Sequence, residues 1–308
     1  MNLKIINIAK ERRSMYKIKL KEKCIDLLIF FLFYLISYVI GYFSSFYVEN
    51  IILRLFVFDV ISTFIIYLLS LVIKNSSLYD AYWSLTPWVM LTYLIILNYT
   101  NLNIYHYIVY IVFSFWSFRL TLNWIITFEN RKWIDWRYQD LKAKSNKYTW
   151  QFINFFGVMM MPTLLVFVAF IPLIYVININ LNALSLIGSL IILGGTILEL
   201  FSDHYMHKFL KSNQHNEVIN IGLWKYSRHP NYLGEILIWV GVYLILLLSA
   251  YEYWYLFVGM LLIILLFNFI SIPLAEKRQL SKRSTYKEYQ LETSRLLILP
   301  KKKNKKAV

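Results

Sequence analysis

The densest run of chemically capable side chains in this 308-residue sequence is Arg228-His229-Pro230-Asn231-Tyr232-Leu233-Gly234-Glu235. Proline fits the first turn of a helix, where an N–H has no partner anyway, and it pushes the residue before it into extended backbone. A loop therefore ends at His229 and a helix begins at Pro230. Open N–H groups at a helix start attract negative charge, and Arg228 beside them adds a permanent bidentate donor. The combination predicts an anion site. The plainer alternative is a helix start at a membrane edge, with Trp224, Tyr226 and Tyr232 as an aromatic belt and Arg228 snorkelling to the surface.

Two other groups stand out. Glu199 and Asp203 are four residues apart and share one helical face, with His207 a turn further on. A carboxylate at membrane depth costs about 3 kcal/mol, so it faces a partner or a cavity. The structural alternative is an ion pair with a loop arginine. Tyr79, Asp80 and Tyr82 gather at the mouth of an apolar segment. A Tyr O–H or a protonated carboxyl can stabilise a negatively charged oxygen that develops in a reaction. As alternatives, an Asp there serves as a helix cap and the tyrosines as belt. Asp59 is a further carboxylate inside an apolar run, Asp135 and Arg137 are placed to pair across their loop, and His106 is expected at the outer interface. No metal site is expected, because His204, His207, His215 and His229 lack ligand spacing with a carboxylate on one helix. Cys24, the only cysteine, excludes an intrachain disulfide and a cysteine-based metal site.

These side chains must be positioned by membrane helices. The chain is 59% hydrophobic and 19% aromatic, with its apolar residues in long runs that one soluble core could not bury. About 20 apolar residues in a helix span the bilayer core with every backbone group satisfied. Eight such runs are predicted: Cys24–Val48, Ile51–Ile73, Leu85–Leu97 with its flanks, Ile104–Phe128, Phe152–Ile177, Leu184–His204, Tyr232–Ala250 and Tyr253–Ala275. The fold class is an all-α, polytopic membrane bundle of about eight transmembrane helices, or seven without the short, Pro87-containing third.

Basic residues are retained on the cytoplasmic side. All but two of the 32 lysines and arginines fall before the first predicted span, after every second span, or in the tail; the exceptions, Arg54 and Arg119, lie inside spans. Both termini are therefore expected to be cytoplasmic, as are the polar insertions Asn75–Trp83, Glu129–Trp150 and Tyr205–Asn231. The net charge of +15 is spread over all these loops rather than gathered on one face, which argues against nucleic acid and for anionic membrane lipids as partners. The basic flank before Cys24 reads as that of a retained signal anchor. With no repeat or Gly/Ser linker, one membrane domain over 24–275 follows a basic segment 1–23 and precedes a basic tail 276–308; the Lys301–Lys306 run reads as a solvated or lipid-touching end.

The Arg228–Glu235 run resembles the Arg-His-Pro-Asn-Tyr-x-Gly-Glu signature of the steroid 5-alpha-reductase family and its DUF1295 relatives. Tyr79-Asp80-Ala81-Tyr82-Trp83-Ser84 resembles that subgroup's Asp-x-x-Trp-Ser element, Trp116–Arg119 with Asp135-Trp136-Arg137-Tyr138 its Arg and Asp-x-Arg-Tyr loop, and Ser271–Arg278 with Tyr286 and Tyr289 its tail. The resemblance implies a cofactor site in the C-terminal half, about 185–275, holding NADPH, or alternatively NADH. It implies that Glu199, Asp203, His207, Arg228, His229, Asn231, Tyr232 and Glu235 border the cofactor, and that Tyr79, Asp80 and Tyr82 stand at the substrate end as catalytic candidates. His207 and Leu210 stand where steroid reductases carry arginines, so phosphate contacts fall to Lys208, Lys211 or Arg228. The implied activity is reduction of a double bond in a lipophilic, steroid-like or other enone substrate. Isoprenylcysteine and phospholipid methyltransferases resemble the same Arg-His-Pro-x-Tyr pattern, so an S-adenosylmethionine-dependent methyltransferase is the alternative enzyme, and a non-catalytic lipid-binding membrane protein the alternative without turnover.

Overall fold

The computed structural model describes residues 2–212 and 217–302, with side chains from residue 20 onward. Among the described residues the chain is helical without strands. The helices are α1 (Asn2–Ser45), α2 (Ile51–Ile73), α3 (Tyr79–Asn98), α4 (Ile104–Thr127), α5 (Trp136–Ala143), α6 (Lys147–Phe152), α7 (Met161–Val176), α8 (Ser185–Lys211), α9 (Pro230–Ser249), α10 (Phe257–Leu266), α11 (Ile272–Lys282) and α12 (Tyr286–Glu292). Between α6 and α7 the helix widens to π geometry over Ile153–Met160, and again between α10 and α11 over Phe267–Ser271.

Seven segments are long and apolar enough to cross a bilayer: Leu20–Ser45, Ile51–Ile73, Ile104–Thr127, Lys147–Val176, Ser185–Lys211, Pro230–Ser249 and Tyr251–Lys282. This is an integral, multi-pass membrane protein. The expected third span lies on α3, a full 20-residue helix that is not among the seven, because Asp80, Ser84, Thr86, Pro87 and Thr92 dilute its apolar residues. The last apolar segment runs on to Lys282 rather than stopping at Ala275.

The chain divides into two compact units, one formed by Met1–Thr86 and Leu120–Leu164, the other by Pro87–Arg119 and Leu165–Val308. The first has an aromatic core of Phe30, Tyr34, Tyr79, Tyr82, Phe128 and Trp150, closed by Ile66, Leu78 and Met159. Its loops are pinned by side chains. Asn50 caps α2 by accepting from Leu53 N–H, and Lys74 ends it in the left-handed conformation at φ 57°. Asn75 Nδ2 donates to the carbonyls of Arg131 and Trp133, and Asp26 accepts from Arg131 N–H.

In the second unit α8 and α9 run antiparallel in backbone contact. A Cβ on Gly188 would lie 2.6 Å from the Gly241 carbonyl oxygen, and one on Gly195 2.6 Å from that of Gly234. The two glycines of each helix are seven apart, two turns, so both contacts fall along one seam. Without a hydrophobic drive between helices in lipid, close approach through small residues is what makes such a pair stable. The seam brings the Glu199 end of α8 against the first turns of α9. His106, expected at the outer interface, is buried within the protein there, its Nε2 set against the Val176 and Ile179 carbonyls at 3.1 Å.

Candidate functional site

The second unit holds two polar clusters joined by α9. The deeper one centres on Arg119 of α4. Its Nη1 lies 2.6 Å from Asp203 Oδ2 and its Nη2 pairs with Glu199 Oε2, while its Nε is buried with no hydrogen-bond partner among the described residues. Glu235, one turn into α9, accepts from the indoles of Trp116 at 3.1 Å and Trp239 at 2.9 Å. A guanidinium paired with two carboxyls and a third carboxyl held by two indoles lie side by side, because Glu199 packs against Gly234, the residue before Glu235. This arrangement suits a buried charge that must be held in one orientation.

The second cluster surrounds the start of α9. Pro230 opens that helix, and His229 before it stays out of the helical region at φ −140°, although its ψ of 57° falls short of the extended backbone expected. Arg228 Nε lies 2.9 Å from Glu276 Oε1 without hydrogen-bond alignment, and its Nη1 donates to the Gln290 carbonyl. His229 Nε2 lies 3.1 Å from the same Glu276 oxygen, and its ring stacks on Tyr232 at 5.3 Å, 6° from parallel. Burial pushes the His229 imidazole below its ordinary pKa, against the pull of Glu276.

The chain after α12 closes over this loop. Arg228 N–H donates to the Ser294 carbonyl, Ser227 Oγ to that of Leu296, and Tyr289 O–H to that of Trp224. Trp224 in turn donates through its indole to the Ser202 carbonyl on α8. Gly222, at φ 55°, faces the Tyr205 ring, so both its conformation and the absence of a Cβ are required there. The residues after Ala275 are therefore, up to Lys302, a built part of the site's wall; Lys303–Lys306 lie outside the described residues. Three buried polar atoms in these segments have no hydrogen-bond partner among the described residues: Arg228 Nε, Asn231 Oδ1 and Thr293 Oγ1.

A family model for a protein of unknown function (DUF1295) matches residues 66–293. The chain belongs to the DUF1295 family. DUF1295 is steroid 5-alpha-reductase-like, in agreement with the motifs. No curated protein and no solved structure matches the chain. The DUF1295 region begins inside α2 and ends just past α12, so it contains every residue of both clusters and leaves α1 outside.

All eight cofactor candidates of the DUF1295 chain lie in the second unit. Glu199, Asp203 and Glu235 enter the Arg119 cluster; Arg228, His229, Asn231 and Tyr232 enter the helix-start cluster; His207 is half-buried on the last turns of α8. Glu199 and Asp203 do pair with an arginine, but with one inside a span rather than in a loop. Lys208 and Lys211 are exposed at the end of α8, whereas Arg228 is engaged by Glu276.

The three catalytic candidates lie in the first unit. Tyr79 O–H meets Thr163 Oγ1 at 2.8 Å, Thr163 meets Thr63 at 3.0 Å, and Thr63 donates to Tyr82 O–H at 3.4 Å, so the two tyrosines end one hydroxyl chain. Asp80 accepts from Tyr138 O–H at 2.6 Å, and Arg137, 3.9 Å away, bonds Asp135 as expected. Burial pushes the Asp80 carboxyl up to about 6, with Asp135 adding to the rise and Arg137, Tyr138 and Ser77 opposing it.

Trp116, Arg119, Trp239, Glu276 and Thr293 were not among the candidates. Their signals were present in part. Trp116 and Arg119 are three apart on one helix face, as Glu235 and Trp239 are four apart, and an arginine inside a span demands a carboxylate. Nothing in the sequence pointed to Thr293. Among the described residues no cluster of three or more His, Cys, Asp or Glu side chains has metal-holding geometry, and His215 lies outside them.

Proposed function

We propose that this DUF1295 protein is a membrane oxidoreductase that reduces a double bond of a lipophilic enone with a reduced nicotinamide cofactor, NADPH or NADH. The observation that carries this is the pair of unpartnered buried atoms Asn231 Oδ1 and Thr293 Oγ1, beside the Arg228–Glu276 ion pair, on segments laced together at the start of α9. A buried polar atom without a partner costs about 1–3 kcal/mol, so their coincidence argues for a ligand with both donors and acceptors. A dinucleotide offers amide, hydroxyl and phosphate groups that fit this mixed set. Asn231 and Thr293 would hold its hydroxyl or amide groups, and Lys208 and Lys211 its phosphates. When bound, the cofactor supplies hydride.

The chain's own residues do the rest. The His229–Tyr232 stack and Glu276 fix Arg228, while Arg119 keeps Glu199 and Asp203 oriented on α8. Tyr79 and Tyr82 are the proposed donors to the developing enolate oxygen, with Asp80 able to donate only when protonated, and the Thr63–Thr163 hydroxyls hold the two tyrosines in place. A second reading, methyl transfer from S-adenosylmethionine, is favoured by one observation: Glu276 neutralises Arg228, which lowers the cluster's appeal to a phosphate.

Isothermal titration of the detergent-purified chain with NADPH, NADH and S-adenosylmethionine separates these. Dinucleotide binding that falls at least tenfold in Asn231→Leu and Arg228→Ala supports reduction. Binding of S-adenosylmethionine alone transfers the assignment to methyl transfer, and binding of none removes both.

A further inference from the structure

We infer that the first unit carries a separate site for a phosphate-bearing headgroup, in a cavity of about 380 Å³ lined by the exposed Lys74, Lys142 and Lys147 and by Tyr138, Trp150 and Asn154. None of the eleven candidate residues lines it, and no carboxylate does. Among the described residues the three lysines form no ion pair, whereas neighbouring Lys144 is held by Asp140 and Arg137 by Asp135. Three lysines without a carboxylate in one lining select for negative charge.

The lining adds a second requirement. Asn154 is 2% exposed, and its Oδ1 is buried with no hydrogen-bond partner among the described residues. It sits on the π-widened turn Ile153–Met160, a geometry that concentrates at functional sites. An unpaired carbonyl oxygen needs a donor, so the ligand must bring O–H or N–H groups as well as charge. A phosphate ester carrying hydroxyls or an ammonium group meets both conditions; a bare anion meets only the first. The volume falls within the roughly 300–1,000 Å³ of small-molecule sites.

The walls are built in advance. Asn75 ties the turn after Lys74 to the 131–133 loop, Asp135 N–H donates to Ser77 Oγ, and Tyr67 O–H holds Gln151. Tyr138 lines the cavity while its hydroxyl bonds Asp80, so occupancy would be felt at that carboxylate. The lysines belong to the face that charge distribution assigns to the cytoplasm, at headgroup level, where each basic residue adds attraction for anionic lipid.

The test is isothermal titration of the full chain in neutral detergent with dihexanoyl phosphatidylglycerol and, separately, glycerol 3-phosphate. With roughly fivefold in affinity for each lysine near an anionic surface, Lys74→Gln/Lys142→Gln/Lys147→Gln should weaken binding of phosphatidylglycerol more than about 100-fold. Asn154→Leu should cost about tenfold through the lost hydrogen bond. The control Lys225→Gln/Lys301→Gln/Lys302→Gln, of equal charge change, should cost less than about threefold. Tighter binding of the lipid than of glycerol 3-phosphate identifies a lipid headgroup; equal binding identifies a soluble phosphate ester, with the site intact. The inference is overturned if neither probe binds, or if the control weakens binding as much as the cavity variant. Should the triple variant fail to fold, the three single lysine variants decide in its place, each expected to weaken binding about fivefold.

Discussion

Arg119→Met isolates the deepest feature of the second unit. The guanidinium is 6% exposed, the Glu199 side chain 4% and the Asp203 side chain 20%. Removing the cation strands one fully buried carboxyl and one with partial access to solvent. Breaking a buried pair from one side costs about 3–5 kcal/mol, and the Asp203 contribution is discounted for its exposure, so a total near 5 kcal/mol is expected. At about 2 °C per kcal/mol for a large domain, the unfolding midpoint in detergent should fall by roughly 10 °C.

The charge-balanced variant Arg119→Met/Glu199→Gln/Asp203→Asn should recover at least half of that loss, since it strands no charge. A midpoint for Arg119→Met within about 2 °C of the parent, or a balanced variant no better than the single one, would refute the pairing as a source of stability. NADPH titration of the balanced variant separates two roles for the carboxyls. Binding restored along with stability makes Glu199 and Asp203 purely structural; stability restored without binding places them at the ligand.

Burial raises Asp80 to about 6 from an ordinary 3.8, so its charge destabilises the folded chain at neutral pH and that cost fades as pH falls through 6. From pH 7.5 to 4.5 the parent should gain about 2 kcal/mol relative to Asp80→Asn in paired melting curves, and parallel curves would contradict the shift. Gly195→Val puts a side chain where a Cβ already meets the Gly234 carbonyl at 2.6 Å, so α8 and α9 must part at a cost of about 1–3 kcal/mol, read as a lowered midpoint; an unchanged midpoint would deny the seam. If α3 crosses the bilayer, single cysteines at Lys74 and Asn101, which flank it, should label from opposite sides in a Cys24→Ser background, and same-side labelling would show that α3 does not cross.

The membrane class was legible because hydrocarbon imposes length and apolarity on each span, and both can be read residue by residue. So was the start of α9, since Pro230 constrains its own turn and the residue before it. The Arg119 pairings were not. A charge inside α4 and two carboxyls inside α8 each demanded a partner, but which charges meet depends on helix neighbours that periodicity does not order. The seven-residue glycine spacing in α8 and α9 was equally visible in the sequence, and it carries the information that was missing: two turns of small residues on each helix specify which faces touch. The wall built by residues 289–299 could not be foreseen, because its bonds to the Trp224–Arg228 loop end on backbone carbonyls more than sixty residues away, and two of them use backbone N–H groups that carry no side-chain signature.

The signature itself divides by function once its neighbours are known. Pro230 sets the helix start, Gly234 exists to let α9 touch α8 at Gly195, and Glu235 is consumed by two indoles. Those three residues act on the protein. His229 and Tyr232 stack on each other and so present one rigid face, and Arg228 is paired with Glu276. Only Asn231 retains a buried polar atom without a partner among the described residues, and Thr293 of the closing segment supplies a second. A ligand at this place would therefore be recognised by few side chains, on a scaffold that most of the signature is devoted to holding still. Substitutions at Gly234 or Glu235 should then damage stability and binding together, whereas Asn231→Leu should lower binding and leave the melting midpoint unchanged. A fall in the Asn231→Leu midpoint as large as that of Gly195→Val would show that this division is false.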